Sequence, residues 1–176
     1  MKRLFLAITP NSAQLDTLTQ LQASLDGEGR LVPRDNLHMT LAFLGQCNEA
    51  QQEALSETLA RLAHQRRLPA FEVTLNTLAH WSEPQILCLK GEARDPQLLS
   101  LYNQCQRLAQ QLGLHTSEHN FQPHITLKRK AQALPDIKSP SLTLKGHALH
   151  LYHSRSSEQG VQYEIVASWT LTSPKA

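Results

Sequence analysis

Two short segments of this chain carry side chains that can move protons and hold an anion. They are His38-Met39-Thr40-Leu41 and His124-Ile125-Thr126-Leu127, about half a chain length apart. Both read His, apolar, Thr, apolar. On a β-strand, residues i and i+2 point to the same face, so each segment places an imidazole beside a hydroxyl. One copy means little. Two copies at equivalent places in the two halves predict strands that meet, with two histidines and two hydroxyls around one spot.

Histidine titrates near neutral pH, so a pair can divide acid and base work. A neutral imidazole takes a proton from a nucleophile, and an imidazolium gives one to a leaving oxygen. Hydroxyls roughly 6–7 Å along the strand can donate to oxygens of a phosphate held between the rings. Donors placed in this way stabilise charge as it grows in a transition state. Phosphodiester cleavage and opening of a cyclic phosphate need these parts, and neither requires a metal.

The elements that must position these residues can be read along the chain. Residues 3–8 read as a strand. Asn11 or Ser12 caps a helix through Leu25 with Leu15, Leu18, Leu21 and Leu25 on its apolar face, ended by Gly27 and Gly29. Residues 36–44 form the first His-x-Thr strand, closed by Gly45. Asn48 starts a second helix carrying Leu55, Leu59 and Leu62, and 70–78 read as a strand. The second half repeats this order. Residues 85–90 read as a strand, and Asp95-Pro96 caps a helix bearing Leu98, Leu99, Tyr102, Cys105, Leu108 and Leu112, ended by Gly113. The second His-x-Thr strand spans 123–129. The stretch 131–141, with Pro135 and Pro140, connects to two further strands at 142–153 and 161–171. Strand, helix, His-x-Thr strand therefore occurs twice at nearly the same length.

Strict alternation sorts the side chains. Leu37, Met39, Leu41 and Phe43 share a buried face, and His38, Thr40 and Ala42 an open one. Ile125 and Leu127 fall on the buried face; His124, Thr126 and Lys128 fall on the open one. The first strand buries Leu4, Leu6 and Ile8 and opens Arg3, Phe5 and Ala7. The same count buries Arg129. Either the strand ends or bulges before Arg129, or Lys128 is the groove cation. Phe5 is a candidate to stack on a nucleobase or to line the groove floor.

Composition narrows the class. The chain has 176 residues and 40% hydrophobic content, enough for a core but with no apolar run near 18 residues. The net charge of +2 suits an anionic ligand and does not describe a broad duplex-binding surface. Three cysteines, Cys47, Cys88 and Cys105, lack metal-site spacing and read as reduced thiols, which points to the cytoplasm. His147, His150 and His153 recur every third residue, which suits neither a strand face nor an i, i+4 helical pair, so no metal is expected. Tyr152 and Tyr163 read as core or rim residues. Arg61, Arg66 and Arg67 read as a solvated helix end.

The paired motifs resemble those of the two-histidine phosphoesterase superfamily. The wider strings Asn-Leu-His-Met-Thr-Leu-Ala-Phe-Leu-Gly (36–45) and Pro-His-Ile-Thr-Leu-Lys-Arg (123–129) are similar to its RNA 2′,3′-cyclic phosphodiesterase branch, also called 2′-5′ RNA ligase. So is Arg-Leu-Phe-Leu-Ala-Ile at 3–8. The resemblance spans essentially the whole chain. It implies an α+β fold in one bilobal domain over 1–176. Two pseudo-symmetric antiparallel sheets would flank a central groove, with helices outside and strands exchanged between lobes. It implies hydrolysis of an RNA-terminal 2′,3′-cyclic phosphate to a 2′-phosphate without a cofactor, and 2′-5′ joining as the reverse. RNA ends or nucleotides bearing a 2′,3′-cyclic phosphate, tRNA halves among them, would be the partners; separately from the resemblance, a monomer is the default expectation. The resemblance assigns His38 as proton donor to the leaving 3′ oxygen and His124 as proton acceptor from water. Thr40 and Thr126 match its phosphate-binding positions, and Arg129 a basic one. The competing reading is a non-catalytic module that holds a nucleotide or RNA end. Intact histidines argue against it, since binding alone needs no acid–base pair.

Overall fold

The computed structural model describes residues 1–173. Strand β1 (Lys2–Ile8) runs into helix α1 (Ser12–Ala23), then the two-residue β2 (Arg30–Leu31) and β3 (Met39–Cys47). Helix α2 (Glu49–His64), β4 (Phe71–Trp81), β5 (Ile86–Gly91) and α3 (Pro96–Gln111) follow. The chain continues through β6 (His124–Arg129), β7 (Leu142–Gly146), β8 (Ala148–Ser157) and β9 (Gly160–Thr170). One sheet has the order β3-β1-β8-β9 and the other β2-β6-β5-β4-β7, with antiparallel pairing throughout. This is the expected α+β fold with two antiparallel sheets. Each sheet sets its motif strand, β3 or β6, against the strand that opens its half, β1 or β5.

Local chemistry starts each helix. Asn11 accepts from the Gln14 N–H while Gln14 accepts from the Asn11 N–H, a reciprocal cap that Asn48 and Gln51 repeat on α2. Asp95 caps α3, with Pro96 in its first turn. Buried leucines of all three helices and of both sheets form one contiguous cluster, Leu18, Leu55, Leu75, Leu101 and Leu151 among them. A smaller cluster of Phe5, Ala7 and Tyr152 lies on the groove side of the first sheet.

The structure corrects the expected strands in three places. Residues 142–153 are two strands, not one. β7 pairs with β4 in the second sheet, and β8 pairs with β1 and β9 in the first. The crossover follows Gly146, where a Cβ would stand 2.3 Å from the Phe71 ring. The short β2 carries no periodic signal of its own, and it joins the sheet by pairing with β6.

The third correction concerns alternation. Both motif strands bulge immediately after their threonine. In β3, Thr40 pairs with Ala7 and Ala42 with Leu6, leaving Leu41 unpaired; a further irregularity leaves out Leu44. In β6, Thr126 pairs with Cys88 and Lys128 with Leu87, leaving Leu127 unpaired. An extra residue inverts the facing of everything after it. Ala42 therefore turns into the core and Phe43 leaves it, at 38% exposure. Lys128 turns inward at 4% exposure, and Arg129 turns out into the groove.

Candidate active site

The two imidazoles are held in the same way. Nδ1 of His38 lies 2.7 Å from the Asn36 carbonyl oxygen, and Nδ1 of His124 lies 2.8 Å from that of Gln122. A carbonyl only accepts, so Nδ1 carries the proton in both rings and Nε2 is the working nitrogen. Asn36 is itself tied down, since its side-chain amide donates to Val161 O of β9 at 2.9 Å. Nε2 of His38 lies 2.8 Å from the Thr40 hydroxyl, which donates to it while the ring is neutral. Thr126 stands half-buried two residues beyond His124, opposite Cys88 of β5.

Each bulge is held by a glutamine from the other half of the chain. Gln106 of α3 donates through Nε2 to Leu41 O at 3.2 Å. Gln22 of α1 donates to Leu127 O at 2.9 Å and also to Val32 O at 2.9 Å. The Val32 N–H donates to the same Leu127 carbonyl at 2.9 Å. Each helix thus secures the opposite motif strand. These contacts satisfy carbonyls that the bulges release from the ladder.

Past the bulges the two halves present different groups. Phe43 and Arg129 both stand three residues after their motif threonine. Arg129 lines a cleft of about 580 Å³ with His38, Thr40 and Phe43, and Nη2 donates to the Tyr163 hydroxyl at 3.5 Å. A second cleft of about 650 Å³ opens on the His124 side, lined by Trp81, Tyr102, Gln106 and Phe121. Thr40 and Phe43 border both.

Aromatic walls back both rings. His38 sits 4.8 Å from Phe5 and 5.3 Å edge-to-face from Tyr163, and Trp81 meets His124 edge-to-face at 4.6 Å. Burial there disfavours the imidazolium. It pushes His38 from 6.5 down to about 4, aided by the charges of Arg129 and His124 and opposed by the Asn36 carbonyl. His124 is lowered too, by burial first and then by Arg129, against the pull of the Gln122 carbonyl. In the free protein both rings are therefore neutral at pH 7.

His38, Thr40 and Arg129 line one cleft, Thr40 and His124 the other, and the charge of Arg129 bears on both rings; Thr126 follows His124 by two residues on β6 and lines neither cleft. The site does not use Lys128 as its cation. Nζ of Lys128 donates to the carbonyls of Asp26 and Gly27 at 3.1 and 2.9 Å, pinning the turn before β2. Phe5 is floor, not stacking surface. At 4% exposure it is closed in by His38, Tyr152 and Tyr163. His150 is bonded through Nδ1 to the Ser168 hydroxyl. Among the described residues no group of three His, Cys, Asp or Glu converges on a metal-sized point. Sequence reasoning missed Phe43, Trp81, Gln22 and Gln106, and it placed Tyr163 no closer than the rim. One signal was available for Phe43: it occupies the position of Arg129 in the other half.

Known proteins carry the same plan. A family model described as LigT-like phosphoesterase matches residues 8–87, which include the first motif. The chain is 33% identical over 147 residues to an RNA 2′,3′-cyclic phosphodiesterase of Escherichia coli, covering 82% of this chain and 81% of that one. It is 26% identical over 179 residues to a protein of the same name from Thermotoga maritima, covering 93% and 92%. The crystal structure of E. coli LigT complexed with 3′-AMP superposes with a TM-score of 0.86 at 31% identity, covering 97% and 98% of the two chains. With that identity spread over most of both chains, and with the fold matched from end to end, this chain belongs to the LigT-like phosphoesterase family.

Proposed function

We propose that this chain hydrolyses the 2′,3′-cyclic phosphate at an RNA end to a 2′-phosphate. The observation that carries the reading is the matched pair of imidazoles. Each is fixed by an Nδ1–H bond to a carbonyl two residues before it, and Arg129 is close enough to bear on both. The relatives named for this reaction, and the 3′-AMP complex of the E. coli protein, support the same reading.

The steps take the order of the two histidines from the family resemblance and their working nitrogens from the two Nδ1 bonds. The bound phosphate accepts from the Arg129 guanidinium and from the hydroxyls of Thr40 and Thr126. Its negative charge favours the imidazolium at His38, against the burial that keeps the free ring neutral. His124 Nε2 takes a proton from water as the water oxygen bonds to phosphorus. The bond from phosphorus to the 3′ oxygen breaks, and His38 Nε2 gives that oxygen its proton. The 2′ ester remains. His38 ends neutral and His124 protonated, and exchange with solvent resets the pair. The half-exposed ring of Phe43, on the border of both clefts, offers a face for the terminal base. With a 5′ hydroxyl in place of water, the same steps join RNA ends 2′-5′: His124 Nε2 takes the hydroxyl proton, and the 3′ oxygen leaves with a proton from His38.

The test is incubation with adenosine 2′,3′-cyclic phosphate and a cyclic-ended oligonucleotide in excess EDTA, with the product isomer identified. Multiple turnover to the 2′-phosphate is expected. A stoichiometric complex without turnover would make the chain a binding module. Turnover to the 3′-phosphate would reverse the histidine roles.

A further inference from the structure

Arg30 is placed against elementary electrostatics. Strand β2 has two residues, and its pairing with β6 sets Arg30 directly across from Arg129. Like charges opposite each other in an antiparallel pair are destabilising. The chain nonetheless builds this pair with care. Gly29, at φ +121°, lies so close to β6 that a Cβ would stand 2.6 Å from the Arg129 carbonyl oxygen. Lys128 ties the preceding turn to β6, and Gln22 clamps Val32 and Leu127 just beyond it.

The cleft around the pair is cationic. Arg3, Arg30 and Arg129 all line it, and among the described residues no carboxylate does. Among the described residues neither Arg3 nor Arg30 has a carboxylate within 4.0 Å, whereas neighbouring Arg34 is paired with Asp16 at 2.8 Å. The Arg3 guanidinium lies 5.2 Å from the centre of the Phe43 ring. Its volume of about 580 Å³ is in the range of ligand sites.

We propose that Arg30, with Arg3, forms a second phosphate subsite, which takes the phosphodiester joining the terminal nucleotide to the RNA behind it. This rests on the proposed function and names its substrate class: a cyclic-ended RNA chain in preference to a cyclic mononucleotide. Arg129 holds the reacting phosphate. Arg30, one cross-strand step away, holds the next one along the chain. Two successive phosphates, one at each guanidinium, turn an unfavourable pair into a favourable one.

Three substrates test it: adenosine 2′,3′-cyclic phosphate, the same compound with a 5′-phosphate, and the dinucleotide ApA ending in the cyclic phosphate. Both additions should raise kcat/KM about tenfold, the scale of one charge-assisted contact. The gain should shrink as salt rises. Arg30→Ala should abolish the gain, and Arg30→Lys should keep part of it. The ratio between substrates is the readout, because a folding defect lowers all three rates together. Arg3→Ala is the less clean variant, since Arg3 also contacts Phe43. Equal rates on the three substrates in the unsubstituted protein would overturn the subsite, as would a gain that survives Arg30→Ala. If no substrate turns over, the proposed function is what has failed. Calorimetric affinities of the same three compounds, with and without Arg30→Ala, then decide the subsite by the same ratios.

Discussion

The two motif strands are one design used twice and then made different. β3 and β6 share the imidazole bonded to a carbonyl two residues back, the hydroxyl two residues on, the bulge, and a glutamine from the opposite half. They differ in what the bulge exposes and in how deeply the ring is set. β3 turns out the flat, apolar Phe43, and β6 turns out the cationic Arg129. His38 lies among Phe5, Tyr163 and the Thr40 hydroxyl, and burial lowers it to about 4; His124 meets Trp81 and is also lowered. In the proposed function, the shared backbone geometry brings two proton carriers to one phosphate, and the differences divide the labour: a cation for the phosphate from one half, and a ring for the base from the other.

The largest effects should come from the histidines. Either alanine substitution should lower kcat by about 10³–10⁴, the upper range for losing a positioned acid or base. His38→Ala should be partly rescued by a substrate with a better leaving group at the 3′ oxygen. His124→Ala should not, because its lost task is activating water. Rescue of both variants by one leaving group would erase the division of roles. Titration sharpens the same contrast. Both rings are lowered from 6.5, so kcat/KM, which reports the free protein, should peak below pH 6.5. The kcat profile should lie higher, since bound phosphate favours the imidazolium. Stability follows the same sign. The unfolded chain takes up protons as pH falls through 6.5 while the folded chain resists until about 4 at His38, so stability is lost across that window. His38→Asn should flatten the loss seen in urea midpoints between pH 7 and 5. A kcat/KM still rising at pH 8 would contradict the burial argument.

The groups beyond the bulges come next. Arg129→Ala removes the guanidinium from the reacting phosphate and should cost about 10²–10³ in kcat. Thr40→Val and Thr126→Val each remove one neutral donor and should fall near 10², the lower end of the same scale. Phe43→Ala removes a stacking face, worth about 1–3 kcal/mol, so roughly 5- to 150-fold, mainly in KM. Arg129→Ala and Phe43→Ala thus compare the cation with the ring in equivalent positions. If the phenylalanine matters more in kcat than the arginine, the assignment of phosphate to one half and base to the other is wrong.

Much of this was legible because it is local. Asn11, Asn48 and Asp95 announce their helices through their own side chains, and the His-x-Thr spacing reveals its face on any strand. Alternation failed where it depends on a partner. Counting by twos assumes one cross-strand neighbour per residue, and Leu41 has none on β1 and Leu127 none on β5. Nothing within Thr-Leu-Ala-Phe marks that bulge. The other half does: Arg129 is a cation that strict counting buries, and a bulge before it resolves the conflict. The same inversion explains Lys128. Trp81 and the glutamines were hidden for another reason. Their roles depend on which strand or helix is brought beside each motif strand, a fact of topology with no sequence period.

Those glutamines supply the smallest effects and the finest comparison. Gln22 is buried, and its amide serves two carbonyls. Gln106 is half-buried; it donates to Leu41 O, and its Oε1 accepts from the Ser117 N–H at 3.0 Å. Leaving a buried acceptor without its donor costs about 1–3 kcal/mol, and less where water reaches it. Gln22→Leu should therefore destabilise by that amount, and Gln106→Leu by about 1 kcal/mol or less. Their catalytic effects should separate by half. Loosening the Leu127 bulge frees Arg129, so Gln22→Leu should lower kcat several-fold. Loosening the Leu41 bulge frees Phe43, so Gln106→Leu should act mainly on KM. Thermal melts and steady-state kinetics on the two variants read both quantities. Equal loss of kcat in the two would mean that the bulges are a matter of packing, and that Arg129 and Phe43 reach the groove without them.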